Sequence, residues 1–310
     1  MTRSRALTLA RIVLAVLVLV AVGYALAGSW GSVQRDLAAV PIAALALSAL
    51  FALVGLVFTL IGWRVLLADL GSPLHLAPAS GVLFVGQLGK YLPGSVWTVV
   101  AQTEVAARLG VPRRRSAVVG LLSVVMSALA GLAVGAVALP GLLAAGGAPA
   151  YLLLLVLLPL GMILMHPRAL NWLIAKALRL ARREPLEHPL SGRAVVRTSV
   201  AFVLAWLSLG LHLWVLVRAL GGNPSATFVP AVFGYALAAA VGMLALVLPA
   251  GLGLRELVLV LLLAGQLPRS ATLAVVLLSR FIVTLGDVVA AAVGWGYARS
   301  HRLLNTSRVT

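Results

Sequence analysis

Two apolar stretches in this chain, about 78–110 and 229–267, are too long for one ordinary membrane helix. Proline and glycine cut each into halves of about 15 residues, which rise only about 22 Å against a hydrocarbon core of about 30 Å. The cuts fall within a pattern that occurs twice. Val85-Gly86-Gln87-Leu88-Gly89-Lys90-Tyr91-Leu92-Pro93 is followed, 156 positions later, by Val241-Gly242-Met243-Leu244-Ala245-Leu246-Val247-Leu248-Pro249. The register continues: Pro112-Arg113 matches Pro268-Arg269, and Leu121-Leu122-Ser123 matches Leu277-Leu278-Ser279. Paired, proline-interrupted hydrophobic segments in corresponding positions point to a transporter-like site near the bilayer midplane.

The rest of the chain fits a membrane protein. Hydrophobic residues make up 62%, charged residues 10%, and the mean hydropathy is +1.12, which excludes a soluble domain. With no cysteine, disulfides, thiolate metal sites and cysteine nucleophiles are excluded. A net charge of +17 would suggest nucleic acid in a soluble protein; here it reads as Arg- and Lys-rich cytoplasmic loops facing an anionic leaflet. Residues 1–11 and the apolar run behind them resemble a signal peptide without a convincing cleavage site, and are read as an uncleaved anchor.

Continuous spans are expected near 10–28, 42–67, 116–139, 150–165, 195–218 and 270–297. The two broken stretches are either long kinked spans or re-entrant hairpins that return to the face they came from. Arginine placement favours hairpins, because a kinked span would put Arg113, Arg114, Arg115 and the basic 168–197 segment outside the cell. With hairpins and an internal N-terminus, only Arg35, Arg218 and Arg269 fall outside, and Lys90, Arg255 and Arg280 lie within the membrane. Both termini are then cytoplasmic, in the plasma (inner) membrane of a cell expected to be bacterial. Three spans separate the hairpins, so the two copies face opposite ways. The expected fold is therefore all-α and polytopic, with about six spans and two re-entrant hairpins in an inverted repeat (about 42–139 and 195–297) within a single domain, 1–310. A basic amphipathic helix over about 168–183, carrying Lys176, Arg179, Arg182 and Arg183, is expected on the anionic leaflet surface.

Broken backbone at membrane depth needs protein or a wet cavity around its polar groups, so Pro93-Gly94-Ser95 and Pro249-Ala250-Gly251-Leu252-Gly253 are expected to line an interior chamber. Each break starts a half-helix whose free N–H groups and positive dipole end suit phosphate or carboxylate. Arg255 and Glu256 fall in the first turn after the second break; Arg280 and Asp287 share a face of the last span. Arg280 is expected to pair with Glu256 and Asp287 with Arg255, either as a substrate site or as an ion-pair cluster that locks the bundle. Lys90 is the remaining cation near mid-depth and is placed to meet a phosphate. Glu104 and Arg108 have helical i,i+4 spacing and read as a local pair or as part of the mouth. His212 reads as a bonded interior residue, and the other histidines have no ligand spacing. No cofactor, metal or catalytic constellation is visible, nor a phosphate-binding loop for an ATP-driven pump, so the chain is not expected to be an enzyme.

The run Pro249-Ala250-Gly251-Leu252-Gly253-Leu254-Arg255-Glu256, with Gly265 and Ser279-Arg280-Phe281, resembles the signature of the integral-membrane part of the lysylphosphatidylglycerol synthetases. This is a large flippase-like family that also occurs as stand-alone membrane proteins. Lys90-Tyr91-Leu92-Pro93-Gly94-Ser95-Val96-Trp97 is similar to its other Pro-Gly motif. Many members carry charged residues where Ser95, Val96, Trp97, Ser123 and Met126 stand here. The resemblance spans about 10–298 and implies movement of a lipid, such as an aminoacylated phospholipid or a polyprenyl-linked carrier, between leaflets. The chain stops 13 residues after position 297, so the soluble aminoacyl-transfer domain is expected to be lacking. The expected function is translocation of an anionic or zwitterionic lipid. The alternatives are an ion- or solute-coupled secondary transporter, a membrane enzyme acting on a polyprenyl donor, and a lipid-binding scaffold.

Overall fold

The computed structural model describes residues 30–92, 96–144, 161, 163–244 and 251–300. The protein is all-α. Helix α1 (Trp30–Ala39) precedes α2 (Ile42–Asp69), and α3 (Leu76–Gln87) runs through a 3-10 turn (Leu88–Tyr91) towards α4 (Val96–Ala107). Then α5 (Arg113–Gly135) continues through Ala136–Ala138 into α6 (Leu139–Ala144). After α7 (Pro167–Leu180) come α8 (Gly192–Ala219), α9 (Pro224–Leu244), α10 (Leu254–Leu263) and α11 (Arg269–Ser300). The expected span 10–28 and most of 150–165 lie outside the described residues.

Among the described residues, five helices are long and apolar enough to cross a membrane: α2, α5 with its continuation to Gly141, α8, α9 and α11 to Tyr297. Their outward faces stay apolar, as with Ile42, Leu50 and Val57 on α2 or Phe281, Val289 and Val293 on α11. Such exposed stripes suit lipid rather than water. Lipid supplies no hydrophobic force between helices, so the helices join through small residues and hydrogen bonds. The antiparallel α2–α8 pair does both. The Ser48 hydroxyl donates to the His212 carbonyl at 3.0 Å and Ser208 to the Phe51 carbonyl at 2.7 Å, while Gly55 and Gly62 admit Leu209 and Phe202.

Each broken stretch folds back on itself. In the first, α3 and α4 lie so close that a Cβ at Gly86 would overlap Gln102, and one at Gly89 would stand 2.6 Å from the backbone nitrogen of Thr98. In the second, Gly242 of α9 lies on Gly251, and Gly234 on Leu262 of α10. The lengths depart from the expected halves of about 15 residues. The limbs of the first hairpin have 12 residues each; those of the second have 21 and 10. Pro224 falls in the first turn of α9, where a missing N–H costs little, and Pro230 does not end the helix, so α9 is long enough to cross a bilayer. Just before α10, Gly251 and Gly253 stand at φ +66° and +88°, a left-handed backbone that side-chain-bearing residues resist.

The two halves exchange their packing. Gly81 of α3 meets Gly294 of α11, and Leu237 of α9 meets Gly135 of α5, so each hairpin's first limb lies on the last helix of the other half. Gly81 and Leu237 are themselves 156 positions apart. At one end of the molecule Arg115 binds the Gly71 carbonyl at 2.7 Å, so the first hairpin leaves where it started. Arg114 and Arg115 also bind Glu187 there, and Asp69 accepts from the backbone N–H and hydroxyl of Ser191 at 2.7 Å each. The amphipathic helix α7 lies beside this end. It buries Leu170 and Leu178 and leaves Trp172, Leu173 and Leu180 exposed, with the Lys176 ammonium 4.7 Å from the centre of the Trp172 ring.

Candidate functional site

The turn of the first hairpin and the start of α10 open onto one cavity of about 280 Å³. Of the residues singled out from sequence, Lys90, Gly251, Arg255, Arg280 and Asp287 line it. Glu256 and Gly253 stand behind the lining, and Glu104 is elsewhere. Pro93, Gly94, Ser95 and Pro249 lie outside the described residues.

The ion pairing is half as expected. Arg280 Nη1 does reach Glu256 Oε1, at 3.2 Å. The other oxygen of Glu256 accepts the Gly253 backbone N–H at 2.7 Å, so this carboxylate both caps the first turn of α10 and ties it to α11. Asp287, however, does not pair with Arg255. Its Oδ2 takes Lys90 Nζ at 2.7 Å and the Tyr91 hydroxyl at 2.6 Å, because α11 lies along α3 and brings Asp287 to the first hairpin. The Asp287 side chain is only 1% exposed, and its Oδ1 has no partner. Glu104 does not pair with Arg108; it makes a two-bond contact with Arg113 at 3.1 Å per bond. The connection from α4 to α5 carries Arg113 back over α4, and with Glu104 57% exposed this pair belongs to the surface.

Arg255 is therefore the odd cation. It is 8% exposed, lies 4.8 Å from the centre of the Tyr235 ring, and its Nη2 donates to Ser279 Oγ at 3.3 Å. Its Nε has no partner. All seven carboxylate side chains of the chain are described, and none reaches it. Ser279 Oγ also stands 3.0 Å from Nε2 of the fully buried His212. A serine that accepts from Arg255 donates to His212 when that ring carries its proton on Nδ1. His212 is thus the bonded interior residue expected, and it joins α8 to the site.

The cavity also has neutral polar lining. Gln102 of α4 is buried and its Oε1 accepts the Trp63 indole N–H at 3.2 Å, and Gln87, Thr98, Ser123 and Ser127 line the cavity as well. Sequence reasoning missed Gln102 and Tyr235. An amide in an apolar half-helix is a signal that could have marked Gln102, whereas nothing in sequence separates Tyr235 from an ordinary packed aromatic.

A bundle of long apolar helices around a charged interior cavity defines a polytopic membrane protein. The chain belongs to the lysylphosphatidylglycerol synthase TM region family, whose pattern it matches over residues 8–291. No curated protein matches it.

Proposed function

We propose that this protein moves an anionic or zwitterionic lipid between the leaflets of the plasma membrane, without acting as an enzyme. The headgroup passes through the cavity while the acyl chains stay in the bilayer. The observation that carries this reading is Arg255, a buried guanidinium on the cavity wall with no carboxylate opposite it. A buried charge left without a partner is costly, and a headgroup phosphate is the complement to a guanidinium. Lys90 and Arg280, each already held by a carboxylate, shape the passage rather than bind alone. The antiparallel α2–α8 pair and the exchanged packing of Gly81 and Leu237 support an inverted repeat. Such a repeat allows its two hairpins to open in turn from opposite faces. In this reading the arginine-rich end and both termini are cytoplasmic, and α7 rests on the anionic leaflet through Lys176, Arg179, Arg182 and Arg183.

Reconstitution into liposomes with headgroup-labelled lipids tests this, scored by loss of label accessibility. The expected result is loss of label faster than in protein-free vesicles, abolished by Arg255→Ala in a protein that stays folded. If no lipid class moves faster than in empty vesicles, the reading fails. A folded Arg255→Ala protein that still transports would count against the role given to Arg255. Cysteines placed at Arg113 and Arg269 are expected to label from opposite sides; labelling from one side removes the inverted topology.

A further inference from the structure

Three arginines meet where the end of α7 approaches the start of α5. Arg182 and Arg183 follow α7, and Arg114 stands in the first turn of α5. With Pro112 and Glu184 they line an open pocket of about 520 Å³ that shares no residue with the central cavity. Glu184 is the one carboxylate in this lining, so two positive charges stand in excess. Arg114 is engaged: it donates to Glu184 at 2.9 Å and also to Glu187, which takes Arg115 at 2.7 Å as well. No carboxylate side chain among the described residues pairs with Arg182 or Arg183.

Two solvated cations at the negative end of a helix dipole need no ligand. The backbone under Arg182 sets this pair apart. Its N–H donates to the Arg179 carbonyl at 3.0 Å, and that of Arg183 to the Leu178 carbonyl at 2.9 Å. This paired closure of a helix end places its first outside residue in the left-handed region, where glycine is usual. Here that residue is Arg182, at φ +52°, the only side-chain-bearing residue with positive φ among the described residues. Glycine would close the helix without that strain, so closure alone does not account for the arginine.

The segment behind the two arginines is tied down. Asn171 of α7 exchanges two hydrogen bonds with the Leu190 backbone, at 2.9 and 2.8 Å, and Asp69 of α2 takes the N–H and hydroxyl of Ser191. The guanidiniums therefore stand on a stretch anchored to α2, α5 and α7. A terminal phosphate carries close to two negative charges and three acceptor oxygens, which match the excess of two and the forked donors. A phosphodiester supplies only one charge. Trp172, Leu173 and Leu180 leave α7 with exposed apolar surface beside the pocket, which favours a phosphate borne by a lipid.

We propose that this pocket is a second anion site, which takes a dianionic terminal phosphate on Arg182, Arg183 and Arg114. The group comes from a lipid headgroup or from a soluble phosphate. The site is additional to the passage through the central cavity and does not rest on it.

Binding to the full chain in detergent tests this, with Arg255→Met present so that the central cavity contributes little. Phosphatidic acid and phosphatidylglycerol are compared by native mass spectrometry, and inorganic phosphate by equilibrium dialysis. Phosphatidic acid is expected at no less than about fivefold higher occupancy than phosphatidylglycerol. Arg182→Gly combined with Arg183→Gln is expected to lower that binding about tenfold, with the melting temperature unchanged or raised because glycine suits the left-handed position. Arg168→Gln, which removes the same charge from the other end of α7, is expected to leave it unchanged. Binding of phosphatidic acid without inorganic phosphate assigns the lipid source, and binding of inorganic phosphate assigns a soluble one. The proposal is overturned if neither binds, if the two lipids bind equally and inorganic phosphate does not, or if binding survives the double variant. An equal loss in Arg168→Gln also overturns it, because the attraction is then a diffuse surface charge. The two readings fail separately: loss of this binding with lipid movement intact in liposomes spares the proposed function, and the reverse result spares this site.

Discussion

Lys90 and Arg255 both stand where a broken apolar stretch turns, and both lie over a tyrosine, 5.5 Å from the Tyr91 ring centre and 4.8 Å from that of Tyr235. Their other surroundings differ. Lys90 meets Asp287 at 2.7 Å and is neutralised within the protein; Arg255 finds only the Ser279 hydroxyl. The difference has a simple source. In the repeat register Lys90 corresponds to Leu246 and Arg255 to Val99. The sequence repeat does not extend to the charges: the cation of the first hairpin is held by Asp287, and Arg255 has no carboxylate.

That contrast can be broken most decisively at the two cations. Arg255→Met is expected to cut transport or lipid binding at least tenfold, about 1.4 kcal/mol, while leaving the melting temperature unchanged or raised, since it removes an unbalanced buried charge. Lys90→Met is expected to do the reverse to stability. It strands the buried Asp287 carboxylate at a cost of about 3–5 kcal/mol, and Lys90→Met with Asp287→Leu should recover most of the loss in a thermal melt. Equal melting shifts for the two single variants would erase the distinction between a locking and a binding cation.

The glycines sharpen the comparison at a smaller scale. A methyl group at Gly89 would press on the backbone of Trp97 and Thr98, which cannot yield, whereas one at Gly242 would meet Gly251 and Arg255 at 3.3–3.4 Å. Gly89→Ala is expected to destabilise by about 1–3 kcal/mol and Gly242→Ala by clearly less, read as melting temperatures in one detergent.

The ion pairs outside the cavity give the weakest effects. Hydrogen bonds from Arg115, and then its own backbone N–H and Arg114, hold the Glu187 carboxyl down to about 2 from its usual 4.5. A carboxyl depressed in the folded state adds stability above its unfolded value and loses it as pH falls from about 4.5 towards 2. Melts of Glu187→Gln and unaltered protein should therefore converge as pH falls through that window. Glu104→Gln, on the outgoing limb of the first hairpin but facing away from the cavity, is expected to change neither transport nor melting temperature measurably. A transport defect there would mean that the surface pair with Arg113 is part of the passage after all.

The sequence by itself determined the membrane class, four of the five long apolar helices among the described residues, and the interruption between α9 and α10, and it named Arg280 and Glu256 as a pair. The first three depend on composition or on spacing along one chain: apolar runs of spanning length, and proline and glycine interrupting them. The pair was an expectation that the packing of α10 against α11 fulfils. Tertiary structure alone decided that Asp287 belongs to Lys90, that Glu104 faces outward to Arg113, that α9 runs on past Pro230, and that Gln102 and Tyr235 complete the cavity. These follow from which helix lies beside which. The exchanged packing of α3 on α11 and α9 on α5 sets those distances, and residues far apart in sequence carry no local sign of it.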